Sequence, residues 1–500
     1  MAAQDETTQL TGPMLTAEGW RDTLLAQLGS RLSAIKRCDD YYNGEHRMAF
    51  TTAQFRDTFG HLFAAFADNW CDLVVDASAE RLRVEGFRFG GADTGADTAA
   101  WEIWQRNKLD AESDMAHTDA IKLGCVYALV GADDGGKATI QVEAADKAIV
   151  CVDPAQGHHR LAGLRFWADE WGVDHCALYL PDELHWWRRE GGAAAGKWVD
   201  DIGSGTNPLG VVPLIPLANM PTLSNRLGRS DIERVIPLQN AVNKLCGDMI
   251  VASEFAAYPQ RWATGIEIPV NPETGEKMAP NFLGGADRVW GVESEQSRFG
   301  NFAVSDLSPY VKAIEMCIQH VAAQTRTPPH YLLGAMGSFP SGESLKATET
   351  GLVAKVRRKQ LSFGEGWEEA MRLAFAVEGD TRRAEMVEVE TIWANPESRI
   401  VGETVDAAVK LASLGVPRPA LWEYIGASPQ QVARWKIEGE PEPTPQVKET
   451  ITAQVTPQQA EQLQRGEQPA PGAPGPPPTT SSPAPPARTT PPTGGSSAKR

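Results

Sequence analysis

Between Leu238 and Ala256 the residues Leu238, Val242, Leu245, Met249, Ala252 and Ala256 recur at spacings of 4, 3, 4, 3 and 4. Strand side chains alternate with period two and cannot hold such a series on one face. A helix of 3.6 residues per turn gathers it into one narrow seam, suited to packing along a neighbouring helix. A second seam follows. After Ser308 as cap and Pro309 as first helical residue, Val311, Ile314, Ile318 and Val321 share one face, and "TPPH" is expected to stop that helix. The chain must therefore accommodate two seam-bearing helices with residues 264–304 between them. That stretch carries Gly and Pro punctuation ("IPVNPETGEKMAPNFLGG") and strand-like pieces such as "RVWGVE", and reads as a small separate module. Ser230 and Glu233 have capping-box spacing for the first seam helix, and Pro237 either kinks it or opens its main part.

The remainder alternates in character. Residues 20–37 place Leu24, Leu28, Leu32 and Ile35 at helical spacing, and a second helix is expected to carry Phe63, Phe66, Trp70, Leu73 and Ala77 on one stripe. "RLRVEGFRFG" reads as a strand and turn, and a third helix is expected from Ala99 to Leu123. From Cys125 the period shortens to that of strands: "CVYALVGADDGGKATIQVEAADKAIVCVDP" has a strand, an Asp-Gly-Gly turn and two further strands, and hairpins continue to "GVVPLIPLANMP". A long helical stretch from Ser344 to Val377 has Gly351, Gly364 and Gly366 as points where it can bend. One more strand lies in "RAEMVEVETIWANP", with Met386 and Val387 leading into Val389 and Thr391. Two or three short helices follow. Residues 441–500 hold 15 of the 35 prolines with little apolar bulk, a composition expected to stay disordered.

One stretch imitates a nucleotide site. In "GGAAAGKW", Gly191, Gly196 and Lys197 match the phosphate-loop register, but Trp198 occupies the position where Ser or Thr holds magnesium. A phosphate loop also feeds a helix N-terminus, and here another strand follows, so a hairpin connection is the better reading. The net charge of −18 argues against a broad basic face for tight nucleic-acid capture. The 15 Trp residues suit large buried contacts or interfaces. Seven scattered Cys without paired spacing read as free thiols, and no apolar run is long enough to span a membrane. "MAAQDETTQLTGP" lacks the basic and apolar segments of a secretion signal. His158-His159 reads as a solvated loop pair. Glu112, Asp114, His117 and Asp119 are spread over several helical faces, which favours a solvated surface over a metal site.

The segments "YYNGEHRMAF", "NWCDLVVDASAERLRVEGFRF", "GRSDIERVIPLQNAVNKLCGDMIVASEFAAYPQRWATG", "TRTPPHYLLG" and "LKATETGLVAKVRRKQLSFGEGWEEAMRLAF" resemble the portal proteins of tailed bacteriophages, particularly siphophages of actinobacteria. The resemblance implies an α+β portal fold: an outer wing over 1–228, stem helices over 229–257 and 306–327 and a clip over 258–305. It further implies a tunnel loop over 328–343, a channel helix and wing return over 344–396, and a crown over 397–440. It also implies a ring, commonly dodecameric, at one capsid vertex of the virion, assembled in the host bacterial cytoplasm, with double-stranded DNA passing through during packaging and ejection. The implied partners are the terminase large subunit, a head–tail connector, and the major capsid and scaffolding proteins. No catalytic residue, cofactor or metal is implied, and no membrane contact. The rivals are a packaging ATPase or other nucleotide hydrolase and another capsid or adaptor subunit.

Four groups of residues become candidates on that basis. Leu238, Val242, Leu245, Met249, Val311, Ile314, Ile318 and Val321 pack the stem. Tyr331, Met336, Phe339 and Lys346 either touch DNA in the channel or belong to an ordinary connection with buried aromatics. Lys355, Arg357, Arg358 and Lys359 either meet DNA phosphates or acidic neighbours, or form a solvated helix face. Arg261, Trp262, Arg288 and Trp290 either anchor docking partners at the clip, or the two Trp fill the core of the small module.

Overall fold

The computed structural model describes residues 16–46, 68–90, 95–157, 159–189, 196–257, 261–265, 270–276, 296–302, 306–333, 342–397 and 401–438. Residues 1–439 form one unit and 440–500 a second, which lies outside the described residues, as do Phe63, Phe66, His158 and the expected disordered tail.

Helix α1 (Ala17–Tyr42) starts where the Thr16 hydroxyl accepts a hydrogen bond from the Gly19 amide. Helix α2 (Cys71–Ala79) leads into strand β1 (Val84–Phe89). The helix expected over Ala99–Leu123 is two, α3 (Thr98–Arg106) and α4 (Leu109–Leu123). Lys108 between them takes a left-handed φ of 55°, which breaks the helical path. Strands β2 (Cys125–Ala132), β3 (Ala138–Glu143), β4 (Ala148–Val152), β5 (Arg160–Ala168), β6 (Asp174–Tyr179), β7 (Glu183–Arg189), β8 (Val199–Thr206) and β9 (Leu214–Ala218) follow. They build two antiparallel sheets in the orders β3-β2-β9 and β4-β5-β6-β7-β8.

Alternation of side chains stacks these sheets. Cys125, Tyr127 and Leu129 of β2 face Ala148, Val150, Ala177 and Tyr179 of the five-stranded sheet. Val126, Ala128 and Val130 point the other way, into the main core with Ile121, Phe363 and Trp367. On the far side of the five-stranded sheet, Leu24 and Leu28 of α1 cover Ile149, Leu164, Cys176 and Leu178. The order is thus α1, sheet, sheet, helices, with both sheets packed on two faces except at the exposed edge strand β8.

Helix α5 (Ile236–Ala257), strands β10 (Arg261–Thr264) and β11 (Arg298–Asn301), and helix α6 (Ser308–Thr325) come next, with β10 and β11 paired antiparallel. Pro237 stands in the first turn of α5, where its missing N–H costs nothing. Ser230 does not cap this helix: its hydroxyl accepts from the Ile232 amide, and a turn through Val235 intervenes. On α6 the cap is Leu307 rather than Ser308, and the helix ends at Arg326, whose φ is 57°. The helix thus ends directly ahead of "TPPH", as expected, and Pro329 opens helix α7 (Pro329–Leu333).

Helix α8 (Gly342–Val377) runs unbroken through Gly351, Gly364 and Gly366. At Gly366 an added Cβ would lie 2.5 Å from Leu217 Cδ2, so the bare backbone lets α8 settle onto β9. Helix α9 (Thr381–Ala384) turns the chain into β12 (Val389–Trp393), which excludes Met386 and Val387 and pairs with β1 across some three hundred residues. Helices α10 (Val401–Ser413), α11 (Arg418–Tyr424) and α12 (Pro429–Glu438) complete the described chain.

Candidate functional site

The two seam helices pack on each other. On α5, Val242 and Cys246 are buried while Leu238 and Leu245 are half-buried against the core. On α6, Ile318 and Val321 are buried, Ile314 is half-buried, and Val311 at the outer end is 42% exposed. The seam is therefore closed near the body and open at Val311. There Met249, Val311, Ile314 and Ile318, with Trp70, Cys246, Glu315 and Leu332, line an apolar depression of about 330 Å³. Polar bonds secure the base of α5. The Tyr41 hydroxyl donates to Asn240 Oδ1 at 2.6 Å, and the fully buried Gln239 accepts from the Trp70 amide at 2.8 Å.

The basic run on α8 divides into two. Arg357 and Arg358 face solvent, Arg357 lying 3.8 Å from Glu397. Lys355 and Lys359 do not face solvent, which corrects the solvated-face expectation for them; of the contacts expected, the one they make is with an acidic neighbour. Their ammonium groups lie 2.8 and 2.9 Å from one oxygen of Asp231. Lys359 also donates to Asn219 Oδ1, and Asn219 Nδ2 donates to Asp231 Oδ1 at 2.9 Å. Burial raises the Asp231 pKa, but Lys359 and Lys355 overcome it and hold the carboxyl well below the usual range. Burial pushes Lys359 down to about 8 against the attraction of Asp231, with Lys355 adding repulsion. The spacing carried a signal of this: positions 355 and 359 share the face of Leu352, Val356 and Phe363, all buried, whereas 357 and 358 lie opposite. Nothing in the sequence named Asp231 or Asn219 as partners.

Tyr331, in α7, is half-buried, with its hydroxyl accepting from Arg81 at 2.6 Å and donating to Glu349 at 3.2 Å. Lys346 falls within α8, its side chain outside the described residues, and Met336 and Phe339 lie outside them entirely. Trp262 of β10 sits opposite Gly300 of β11, its ring over that glycine and 38% exposed. Arg261 is in β10 with its side chain outside the described residues, as are Arg288 and Trp290.

Gly196 and Lys197 precede β8, which pairs antiparallel with β7, so the phosphate-loop lookalike closes a hairpin; residues 190–195 lie outside the described residues. The Arg189 guanidinium lies over the Trp198 ring, 4.6 Å from the ring centre, a structural contact. His117 is not on a solvated surface as expected but wholly buried. Its Nε2 accepts from Trp367 Nε1 at 2.9 Å, so Nδ1 carries the proton donated to the Leu82 carbonyl at 3.1 Å. Burial lowers its pKa to about 4, against the pull of that carbonyl. Among the described residues no group of His, Cys, Asp and Glu is placed to hold a metal.

Residues 22–442 match the family described as "Phage portal protein, SPP1 Gp6-like". The chain is 31% identical over 443 residues to the portal protein of Mycobacterium phage D29, covering 84% of this chain and 88% of that one. It is 33% identical over 387 residues to the portal protein of Mycobacterium phage L5, covering 73% and 78%. Among solved structures it is similar, at 12% identity and a TM-score of 0.43, to a chain of the virion of a native gene transfer agent particle, covering 76% of this chain and 95% of that chain. A chain from the neck of the empty particle gives 13% identity and a TM-score of 0.41, covering 74% and 96%.

Proposed function

This chain belongs to the SPP1 Gp6-like phage portal proteins, structural virion components and not enzymes, and from that premise we propose how its parts form the conduit for double-stranded DNA. Copies stand side by side in a ring, commonly of twelve, at one capsid vertex. In each copy α5 and α6 are the stem, β10 and β11 belong to a clip over 258–305, residues 1–228 with β12 are the wing, and α10 to α12 are the crown. The stretch 328–343 is the tunnel loop. The clip docks the terminase large subunit during packaging and the head–tail connector afterwards, with Trp262 as one anchor. Capsid and scaffolding proteins surround the wing, and assembly takes place in the host cytoplasm.

The observation that carries this reading is the half-closed seam of α5 and α6. Its inner half is buried in the subunit, while Met249 and Val311 border an uncovered apolar depression of the kind a neighbouring copy fills. A ring needs two different complementary faces that close by rotation, and an open seam supplies one. The acidic balance supports passage over capture, since each neutralised phosphate would add affinity through counterion release. Negative-stain microscopy of the purified chain is expected to show rings with a central hole, with no ATP turnover. A protein that stays monomeric at high concentration and in particles would refute the reading.

A further inference from the structure

Arg81 lies in the short link between α2 and β1, its side chain only 13% exposed. One guanidinium nitrogen donates to the Pro396 carbonyl at 2.8 Å, and the other donates to the Tyr331 hydroxyl at 2.6 Å. That second nitrogen also stands 3.5 Å from Glu349, to which the Tyr331 hydroxyl itself donates at 3.2 Å. One side chain thus joins the end of α7, the first half of α8 and the backbone that leads to α10. These segments lie 250 to 315 residues away in sequence from Arg81. The planar guanidinium fork fixes five donors in set directions, whereas an ammonium offers three rotatable donors from a single point. Tyr331, a candidate for touching DNA, has its hydroxyl engaged both as donor and as acceptor, so the group serves the subunit and not the lumen.

We propose that Arg81, through the Tyr331 hydroxyl and Glu349, is a positioning residue that sets α7 against α8 and so fixes the two ends of the connection between them for DNA passage. This rests on the reading above that 328–343 faces the channel. Neither Arg81 nor Tyr331 touches DNA in this scheme. Their effect runs through the placement of α7 and α8, and the two act as one unit.

The test uses the phage that encodes this chain, carrying Arg81→Gln, Arg81→Lys, Tyr331→Phe or the Gln/Phe pair. The readouts are the amount of portal protein in purified particles and the fraction of particles filled with DNA. At unchanged portal content, Arg81→Gln and Tyr331→Phe are each expected to lower the filled fraction several-fold. The double variant is expected to fall no further than Arg81→Gln, because both changes break one network. Arg81→Lys is expected to recover only part of the loss. Full filling in both single variants, or losses that multiply in the double, overturns the proposal. If Arg81→Gln is not incorporated, Tyr331→Phe decides, since it removes a single hydroxyl. A variant shortened between Gly334 and Gly342 separates the two claims. Normal filling there as well as in the single variants sinks the channel reading together with the proposal, whereas loss of filling there alone sinks only the role of Arg81.

Discussion

Lys359 has no exposed surface, and it shares a single carboxylate with Lys355, leaving two ammonium groups against one acid. Breaking such a buried cluster depends on which member is removed. Asp231→Asn strands two cations and is expected to cost roughly 3–5 kcal/mol. Lys359→Met leaves Asp231 paired with Lys355 and orphans mainly the Asn219 oxygen, and is expected to cost about 1–3 kcal/mol. Thermal melting of the two variants checks the order, and equal losses would contradict the network. The pH dependence follows from the same burial. His117 has a pKa near 4 in the fold against 6.5 when free, so between those values the unfolded chain binds the extra proton and stability falls as the pH drops. The loss reaches roughly 3 kcal/mol below pH 4. Asp231, depressed by its lysines, acts in the same direction at lower pH. Lys359, lowered to about 8 from 10.5, makes stability rise with pH across that window. His117→Gln is expected to flatten the melting profile between pH 4 and 6.5; an unchanged slope would show that His117 does not set it.

At the level of elements, the seam on α6 separates residues that hold the subunit together from residues left for something else. Ile318 is 5% exposed and sits in the main core, whereas Met316, two positions earlier, is 53% exposed. Ile318→Ala is expected to destabilise the isolated chain by about 2–5 kcal/mol. Met316→Ala is expected to stay within about 0.5 kcal/mol of the parent. Comparable melting losses for both would mean that α6 packs in a different rotation. The glycines of α8 belong to the same scale. At Gly366 the bare backbone lets the helix approach β9, where an added Cβ would lie 2.5 Å from Cδ2 of the buried Leu217.

For the whole molecule, the proposed ring assigns the buried half of the seam to folding and its open half to assembly. Val311 is exposed enough that Val311→Asp is expected to leave the melting temperature of the single chain nearly unchanged, while the added charge at the rim of the apolar depression blocks ring formation. Light scattering and negative-stain images check it, and intact rings in this variant would move the subunit contact elsewhere. The acidic body and the two exposed arginines on α8 are compatible with a surface that lets DNA slide.

Local periodicity was enough to place the two seam helices, the run of antiparallel strands from Cys125, the hairpin at the phosphate-loop lookalike and the long α8, because each depends on side chains within a few residues of one another. The family resemblance was legible for the same reason, since its segments are contiguous. What periodicity misjudged was every feature set at long range. The break at Lys108 is a single left-handed backbone dihedral, which apolar periodicity does not register. The fate of His117, Lys355 and Lys359 turned on partners far off in the chain: Asp231 stands 128 residues from Lys359, and Trp367 stands 250 from His117. A charged side chain is affordable in a core only where an opposite charge or a hydrogen-bond partner meets it, and the linear order of residues does not say which distant group will arrive there.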